Sequence, residues 1–347
     1  MERCRPSFSQ KQVIDDADSI RSQLSHSLTF DHRQNLSLHV FIRFSQFPVM
    51  KHLLSIEELN AASIEALVDS AVQLKAERGN HTAQPLAGQT WAMIFTKSST
   101  RTRVSFEVGV RELGGSIMFL SSNDIQLGRG EPIKDTARVL GRMIHGCIIR
   151  TFDQQDVVDF SEFGNIPTIN ALTDEEHPCQ ILADLLTVKE KLGTWVGKKV
   201  VFIGDGDNNM SRSWIWAAKY LGFELVVAAP ASCMPPQEWM DKVDAPNVTL
   251  TSDPVAAIAG ADVVNTDVWL SMGQEGQAEK EALFGDYQVN AELLSNAAEG
   301  HIVLHCLPAY REKEITEQIL ELHSDTIFQQ AENRLHAQKA VLAAIAR

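Results

Sequence analysis

Residues 90–103 read Thr-Trp-Ala-Met-Ile-Phe-Thr-Lys-Ser-Ser-Thr-Arg-Thr-Arg, an apolar run followed by hydroxyl and basic side chains. The apolar run, 90–95, is typical of a buried strand, and residues 101–113 have a helical pattern. A strand that leads into a helix start brings free backbone N–H groups together with arginine guanidinium groups. We therefore expect an anion site here, and the plainer alternative is an N-cap beside solvated arginines.

The alternation of apolar runs and helical patterns continues along the whole chain. A helical pattern at about 179–192 lies midway and is interpreted as the bridge between two halves. Because the runs are apolar on both faces, they predict parallel sheets covered by helices. The predicted fold is α/β with two domains, each a parallel β-sheet flanked by helices, and ligands are expected beyond the carboxyl ends of the strands. The further predicted strands are 116–120, 147–150, 168–170, 199–204, 224–229, 262–266 and 302–306.

Length and composition restrict the class of protein. The 347 residues suggest about two domains, and the net charge of −14 disfavours a general electrostatic contact with nucleic acid. No uncharged apolar stretch of about 18 residues occurs, so we expect no membrane span. Five widely spaced cysteines without a CxxC pair predict neither a disulfide framework nor a structural zinc site. They indicate a reducing, cytoplasmic location.

The first 49 residues differ from the rest. They show no sustained helical or strand period, they are too rich in acidic residues for a transit peptide, and they lack a secretory apolar core. From Met50 the pattern becomes regular, and Ser55–Lys75 is predicted as a helix with Ser55 as its N-cap. We expect residues 1–49 to be a disordered extension or an artefact of start-site choice.

Polar residues follow several other predicted strands. Arg150 ends one strand, where a single arginine is more often part of a surface ion pair. His177 and Gln180 are three residues apart at a helix start and can face one ligand, although a lone histidine is more often structural. Cys306 is either a core thiol or a thiolate with a lowered pKa.

Two loops of the second half are candidate ligand sites. The run Gly204-Asp-Gly-Asp-Asn-Asn-Met210 lacks GxGxxG and an acid placed for a ribose, so it disfavours nucleotide binding. Asp267, followed by Ser271-Met-Gly273, suits an ammonium group. The alternative interpretation is a capped loop without a ligand.

Five motifs together resemble the aspartate/ornithine carbamoyltransferase family, in the order found in its ornithine members. The resemblance covers about 50–347 and implies a carbamoyl-phosphate-binding domain at 50–185, an ornithine-binding domain at 186–325 and a C-terminal helix at 326–347 that packs back on the first domain. The motifs are Ser99-Thr-Arg-Thr-Arg103, His177-Pro-Cys-Gln180, Asp267-x-x-x-Ser271-Met-Gly273, His305-Cys-Leu-Pro308 and Ala331-Glu-Asn-Arg-Leu-His336.

The resemblance also implies the roles of individual residues. Arg150, His177 and Cys306 would be catalytic, and Gln126 is assigned by position only, as a group supplied by a neighbouring subunit. Asn209 is preferred to Asn208 for the ornithine carboxylate. The carbamoyl-phosphate residues would be Ser99, Thr100, Arg101, Thr102, Gln126, Arg150, His177, Gln180, Cys306, Leu307 and Arg334. The ornithine residues would be Asn209, Asp267, Ser271 and Met272.

The implied reaction moves the carbamoyl group of carbamoyl phosphate to the δ-amine of L-ornithine, giving L-citrulline and phosphate, in arginine metabolism. No metal or organic cofactor is implied, and the implied assembly is a homotrimer or a multiple of trimers. The Ser-Met-Gly loop separates this chain from the aspartate, putrescine and N-acetylornithine enzymes. The alternatives are a carbamoyltransferase for another amine and a non-catalytic anion-binding or scaffold protein on the same fold.

Overall fold

The structure is a computed structural model, and it describes residues 50–121, 130–271, 273 and 276–346. The predicted extension, 1–49, lies outside the described residues. Two predicted site residues, Gln126 and Met272, also lie outside them.

The first half of the described chain forms a four-stranded parallel sheet with the strand order β2-β1-β3-β4. Gly146 sits opposite Trp91 in this sheet, and a Cβ at Gly146 would lie 2.6 Å from the indole ring. The close packing of β1 on β3 therefore requires glycine there. The elements are α1 (Ala61–Ala76), β1 (Thr90–Phe95), α2 (Thr100–Glu112), β2 (Ser116–Ser121), α3 (Ile133–Leu140), β3 (Gly146–Arg150), α4 (Gln154–Gly164), β4 (Thr168–Leu172) and α5 (Pro178–Leu192).

The second half forms a five-stranded parallel sheet with the order β7-β6-β5-β8-β9. Strand β7 was not predicted, because this short edge strand is only partly buried and carries two threonines among its four residues. The elements are β5 (Lys199–Ile203), α6 (Asn209–Leu221), β6 (Glu224–Ala228), α7 (Gln237–Val243), β7 (Val248–Thr251), α8 (Pro254–Ile258), β8 (Val263–Thr266), α9 (Ala278–Glu281), α10 (Ala291–Leu294), β9 (Ile302–His305), α11 (Glu317–Leu322) and α12 (Ser324–Ile345).

The predicted start of the first helix is wrong. Helix α1 begins at Ala61, and its N-cap is Asn60, whose side chain accepts the backbone N–H of Ser63 at 2.9 Å. The Ser55 hydroxyl does accept the N–H of Glu58, but the N–H of Ile56 donates to the distant Glu176 carboxylate at 2.7 Å. The helix therefore starts about one and a half turns later than the pattern suggests, and the backbone of residues 56–57 contacts Glu176 ahead of it.

Two long helices join the halves. Helix α5 is buried over most of its length and runs unbroken through the predicted domain boundary at 185/186. Helix α12 packs against α1, α2 and α5, and the buried Lys339 on α12 donates to Glu112 of α2 at 2.7 Å. Groups carried by α5 and α12 therefore reach the region between the two sheets.

Each sheet has a point where the strand order reverses. In the first sheet it lies between β1 and β3, and in the second it lies between β5 and β8. Crevices at the carboxyl ends of strands at such points are where open α/β sheets bind ligands. Over the described part of the chain, no helix combines the length and apolar character needed to cross a membrane.

Candidate functional site

The loop after β1 forms the start of helix α2. Ser99 is the N-cap, with an extended backbone, and its hydroxyl oxygen accepts the N–H of Thr102 at 3.2 Å. The N–H groups of Thr100 and Arg101 find no acceptor among the described residues, as geometry dictates for a first helical turn. A cavity of about 450 Å³ is lined by residues 96–100. This helix start can receive an anion.

Three guanidinium groups converge near this helix start. Arg101 lies on α2, the buried Arg150 ends β3, and the buried Arg334 comes from α12. Burial, together with the charges of Arg334 and Arg101, lowers the pKa of Arg150 to about 10. Burial and the charge of Arg101 also lower the pKa of Arg334. Like charges held this close favour the binding of an anion between them.

Side chains around Arg334 hold its guanidinium group in place. One terminal nitrogen donates to the Gln180 side-chain oxygen at 2.6 Å and lies 3.4 Å from Nε2 of His177. The other donates to the Thr102 hydroxyl at 3.2 Å. The structure therefore brings together residues predicted from three separate motifs. We call the group Ser99, Thr100, Arg101, Thr102, Arg150, His177, Gln180 and Arg334 the arginine side.

His177 is held as a neutral imidazole. Burial and the charges of Arg334 and Arg150 lower its pKa well below the usual value. Its Nε2 faces a guanidinium donor and therefore accepts, which assigns the proton to Nδ1. Nδ1 is buried and has no hydrogen-bond partner among the described residues. His177 can thus offer one N–H to a bound ligand.

The loops after β8 and β9 bring a thiol to a carboxylate. The Cys306 thiol donates to the Asp267 carboxylate at 3.0 Å. Desolvation and the Asp267 charge raise the pKa of Cys306 well above its usual range, and burial raises the pKa of Asp267. The alternative of a thiolate with a lowered pKa is therefore wrong, because a carboxylate rather than a cation is its nearest charge.

A second cavity, of about 390 Å³, lies at the loops that follow β5 and β8. Asn208, Asn209 and Ser271 line it. Asn209 donates through Nδ2 to the carbonyl of Thr173 at 2.6 Å. Asn208 caps α6 through its oxygen, and its buried Nδ2 has no partner among the described residues. We call Asn208, Asn209, Asp267, Ser271 and Cys306 the carboxylate side.

Other carboxylates line the same cavity, and each is matched by a cation. Asp205 pairs with Lys280 at 2.7 Å, and Asp207 accepts two hydrogen bonds from Arg212. Asp174 pairs with the buried Lys97, which also lies 4.1 Å above the ring of Phe152. Asp267 differs from these carboxylates, because its oxygen Oδ1 accepts from a thiol and from the backbone N–H of Val268.

One cluster within the described ranges has the composition of a metal site. Ligand atoms of Asp267, His305 and Cys306 lie within 4.8 Å of one another. Both ring nitrogens of His305 are already engaged, since Nδ1 accepts the N–H of Leu307 at 2.9 Å and Nε2 pairs with Glu314 at 3.1 Å. These bonds fix the loop that carries Cys306. Leu307 has a left-handed backbone with φ of 58° and precedes a cis peptide bond.

The pattern analysis missed three buried polar residues that support the site. Glu176 accepts the Ser213 hydroxyl, which in turn accepts the N–H of His177 at 2.9 Å. Asp184 and Gln330 lie one helical turn from Gln180 and Arg334, respectively, on the same helix faces. The sequence could have indicated both residues, because each lies four positions from a predicted site residue on the same helix. Polar side chains on an otherwise apolar helix face need hydrogen-bond partners.

Comparison with known proteins gives matches over nearly all of the described chain. Residues 51–190 match the family described as aspartate/ornithine carbamoyltransferase, carbamoyl-P binding domain, and residues 196–345 match its Asp/Orn binding domain. Ornithine carbamoyltransferase of Akkermansia muciniphila is 64% identical over 300 residues, which are 86% of this chain and 98% of the relative.

Solved structures agree with the sequence matches. Ornithine carbamoyltransferase from Pyrococcus furiosus has a TM-score of 0.80 at 43% identity, over 86% of this chain and 97% of that one. Anabolic ornithine carbamoyltransferase from Campylobacter jejuni has a TM-score of 0.79 at 42% identity, over 84% of this chain and 98% of that one.

Proposed function

The chain belongs to the aspartate/ornithine carbamoyltransferase family, and on that premise we propose that it transfers the carbamoyl group of carbamoyl phosphate to L-ornithine. The observation that carries the proposal is the convergence of Arg101, Arg150 and Arg334 at the start of α2, facing a thiol–carboxylate pair. The arginine cluster suits the phosphate group of an acyl phosphate, and the thiol–carboxylate pair suits an amine.

In the proposed mechanism, carbamoyl phosphate binds on the arginine side. Its phosphate oxygens accept from the N–H groups of Thr100 and Arg101, from the Ser99 hydroxyl and from the arginines. The carbonyl oxygen lies near Thr102, Arg150 and His177, and the Nδ1–H of His177 points at it. Each such donor can stabilise the tetrahedral transition state by roughly 3–4 kcal/mol.

Three further contacts hold the carbamoyl group in this proposal. The Gln180 side-chain oxygen, which already accepts from Arg334, has a second lone pair for the carbamoyl amine. The carbonyl of Leu307 takes the other amine hydrogen, and Cys306 borders the same space. Arg334 holds the Gln180 oxygen in this orientation.

Ornithine occupies the carboxylate side in the same proposal. Its α-carboxylate meets Asn209, with Asn208 as the alternative, and the backbone N–H of Met272, and its α-ammonium meets Asp267 and Ser271. The δ-amine attacks as the neutral base, so one proton must leave it first, since its pKa resembles that of lysine, about 10.4. The new C–N bond forms as the C–O bond to phosphate breaks, and the departing phosphate takes up the proton released from the nitrogen.

Parallel acceptor assays test the proposal. Purified protein receives carbamoyl phosphate with ornithine, putrescine, N-acetylornithine or aspartate, and the carbamoylated product is quantified. We expect rapid citrulline formation from ornithine and none of the other products at a comparable rate. Turnover of a different amine would keep the arginine side and overturn the ornithine assignment. A lack of turnover with all four would favour the non-catalytic alternative.

We also propose a homotrimer, or a multiple of trimers, to which a neighbouring subunit contributes Gln126. Support comes from the edge strand β2, on which Met118 is 41% exposed, and from the preceding helix α2, on which Val104 is 55% exposed. Such an apolar edge is usually covered. Light scattering should give about three times 38.5 kDa, or a multiple of that mass, and an active monomer would contradict the proposal. We further propose that the protein is cytoplasmic and acts in arginine biosynthesis.

A further inference from the structure

A buried carboxylate connects the two sides of the site. Asp184, on α5, has no exposed surface, and its Oδ1 accepts from the side-chain nitrogens of Gln180 at 2.8 Å and Gln330 at 2.7 Å. Its Oδ2 lies 3.4 Å from the side-chain nitrogen of Asn265, on β8. The two glutamines are themselves buried and come from α5 and α12.

The glutamine branches lead in opposite directions. Gln180 presents its oxygen to Arg334 at 2.6 Å, on the arginine side. Gln330 presents its oxygen to the backbone N–H of His305 at 2.8 Å, directly before Cys306 on the carboxylate side. Each glutamine thus has its nitrogen on Asp184 and its oxygen on a group of the site.

The oxygen and nitrogen ends of a glutamine amide are nearly the same size. Either end could therefore face the site unless a neighbouring group selects one of them. A carboxyl oxygen that accepts two hydrogen bonds draws the nitrogen of each amide towards itself. Turned over, Gln180 would place its NH₂ against the Arg334 guanidinium group, and Gln330 would leave the N–H of His305 without an acceptor. A buried N–H left unpaired is unfavourable, because it has lost its hydrogen bond to water without gaining one in the protein.

We propose that Asp184 is a positioning residue, which orients the amides of Gln180 and Gln330 and thereby holds the Arg334 and Cys306 ends of the site in one arrangement. The inference rests on the proposed function for its turnover assay. Burial raises the pKa of Asp184 to about 7, and either protonation state leaves Oδ1 able to accept. Hydrogen-bond acceptance rather than negative charge is therefore what the position requires.

This distinction sets the choice of variants. Asp184→Asn keeps an oxygen for both glutamines, and its new NH₂ can donate to the Asn265 oxygen once the Asn265 amide turns over, since that oxygen has no partner among the described residues. Asp184→Ala removes both acceptors. Thr187→Ala is the matched control: Thr187 is equally buried on α5 and accepts from Asn333 of α12 at 2.9 Å, and its hydroxyl donates to the carbonyl of Ala183 rather than to Gln180 or Gln330.

Turnover, carbamoyl-phosphate affinity by calorimetry and melting temperature are measured for each variant. We expect Asp184→Ala to lower kcat about 10- to 100-fold and to weaken carbamoyl-phosphate binding, because the reacting groups lose their alignment. Asp184→Asn should remain within about threefold of the parent, and Thr187→Ala should keep its activity even if it melts earlier. If Asp184→Asn falls as far as Asp184→Ala, or Thr187→Ala loses as much activity, the inference is wrong.

A second variant keeps the test decisive if Asp184→Ala does not fold. Gln330→Ala cuts only the branch to His305, so we expect a lower kcat with carbamoyl-phosphate affinity close to that of the parent. Equal kcat for Gln330→Ala and the parent would overturn the inference. Because affinity for carbamoyl phosphate is measured without ornithine, failure of the ornithine assignment would be seen separately from failure of the Asp184 role.

Discussion

The arginine side and the carboxylate side are organised differently. On the arginine side, Arg334 donates to both Gln180 and Thr102, which ties side chains of three helices together. On the carboxylate side, the hydrogen bond between Cys306 and Asp267 joins two members directly, whereas Asn209 bonds to a backbone carbonyl of the other half.

The difference follows from charge. Three guanidinium groups repel one another, so neutral acceptors must hold them in place until an anion compensates their charge. The carboxylate side receives a substrate that carries its own cation and anion, and it can adjust to that substrate. From this difference we expect carbamoyl phosphate to bind before ornithine.

The largest expected effect is the loss of one guanidinium group. Arg101→Ala should lower kcat/KM about 100- to 1000-fold, chiefly through weaker carbamoyl-phosphate binding, because it removes a charged donor to the phosphate. Calorimetry with carbamoyl phosphate measures the affinity. Arg111→Ala, on the exposed face of the same helix, is the control and should bind normally. Unchanged affinity in Arg101→Ala would remove Arg101 from the phosphate site.

The next effect concerns Glu176, which supports the backbone of His177 on the arginine side through the Ser213 hydroxyl. Burial raises its pKa from 4.5 to about 7, so the folded state holds a proton that the unfolded chain releases. The stabilisation from this proton is complete below about pH 4.5 and is lost as pH rises through 7, by up to about 3 kcal/mol. Glu176→Gln keeps an acceptor for Ile56 and Ser213, so its free energy of unfolding should decline less over this range.

Urea unfolding of both proteins at pH 5, 6, 7 and 8, at one protein concentration, measures the difference. Glu107→Gln, an exposed glutamate on α2, is the control and should follow the parent curve. Parallel curves for the parent and Glu176→Gln would show that Glu176 does not titrate in this range.

A smaller effect is expected at the thiol. Cys306→Ala should lower kcat about 30-fold and raise the KM for ornithine, while carbamoyl-phosphate affinity changes little, since the thiol's bond to Asp267 orients the acceptor amine. Cys306→Ser retains an O–H donor to Asp267 and should recover part of the loss. If Cys306→Ala is as active as the parent, Cys306 is a packing thiol. Asp267 alone would then distinguish the carboxylate side from the arginine side.

The smallest effect distinguishes the two asparagines. Removing whichever amide contacts the ornithine carboxylate should raise the KM for ornithine about tenfold, the worth of one hydrogen bond to a charged group. Asn208 has the unpartnered nitrogen, whereas Asn209 is already bonded to Thr173. Comparing Asn208→Ala with Asn209→Ala by ornithine saturation assigns the contact. Equal KM values for both variants and the parent would exclude both amides from it.

Much of the architecture was predictable from short-range patterns. The family and the α/β fold class are confirmed, and the predicted strands agree with β1 to β6, β8 and β9 to within two residues at each end. Strand β7 and the true start of α1 were not predicted. A short, half-exposed edge strand has little apolar pattern, and the segment ahead of α1 contacts Glu176, far along the chain.

By itself, the sequence determined where strands and helices form and which polar residues follow the strands, because hydrophobic periodicity and helix caps act over a few residues. Only the tertiary structure decided that Arg334 reaches Thr102, 232 residues away, and that Asp184 lies between Gln180 and Gln330. It also decided that the pKa of Cys306 rises rather than falls. Burial and the approach of distant charges fix these properties, and both arise only when the helices pack.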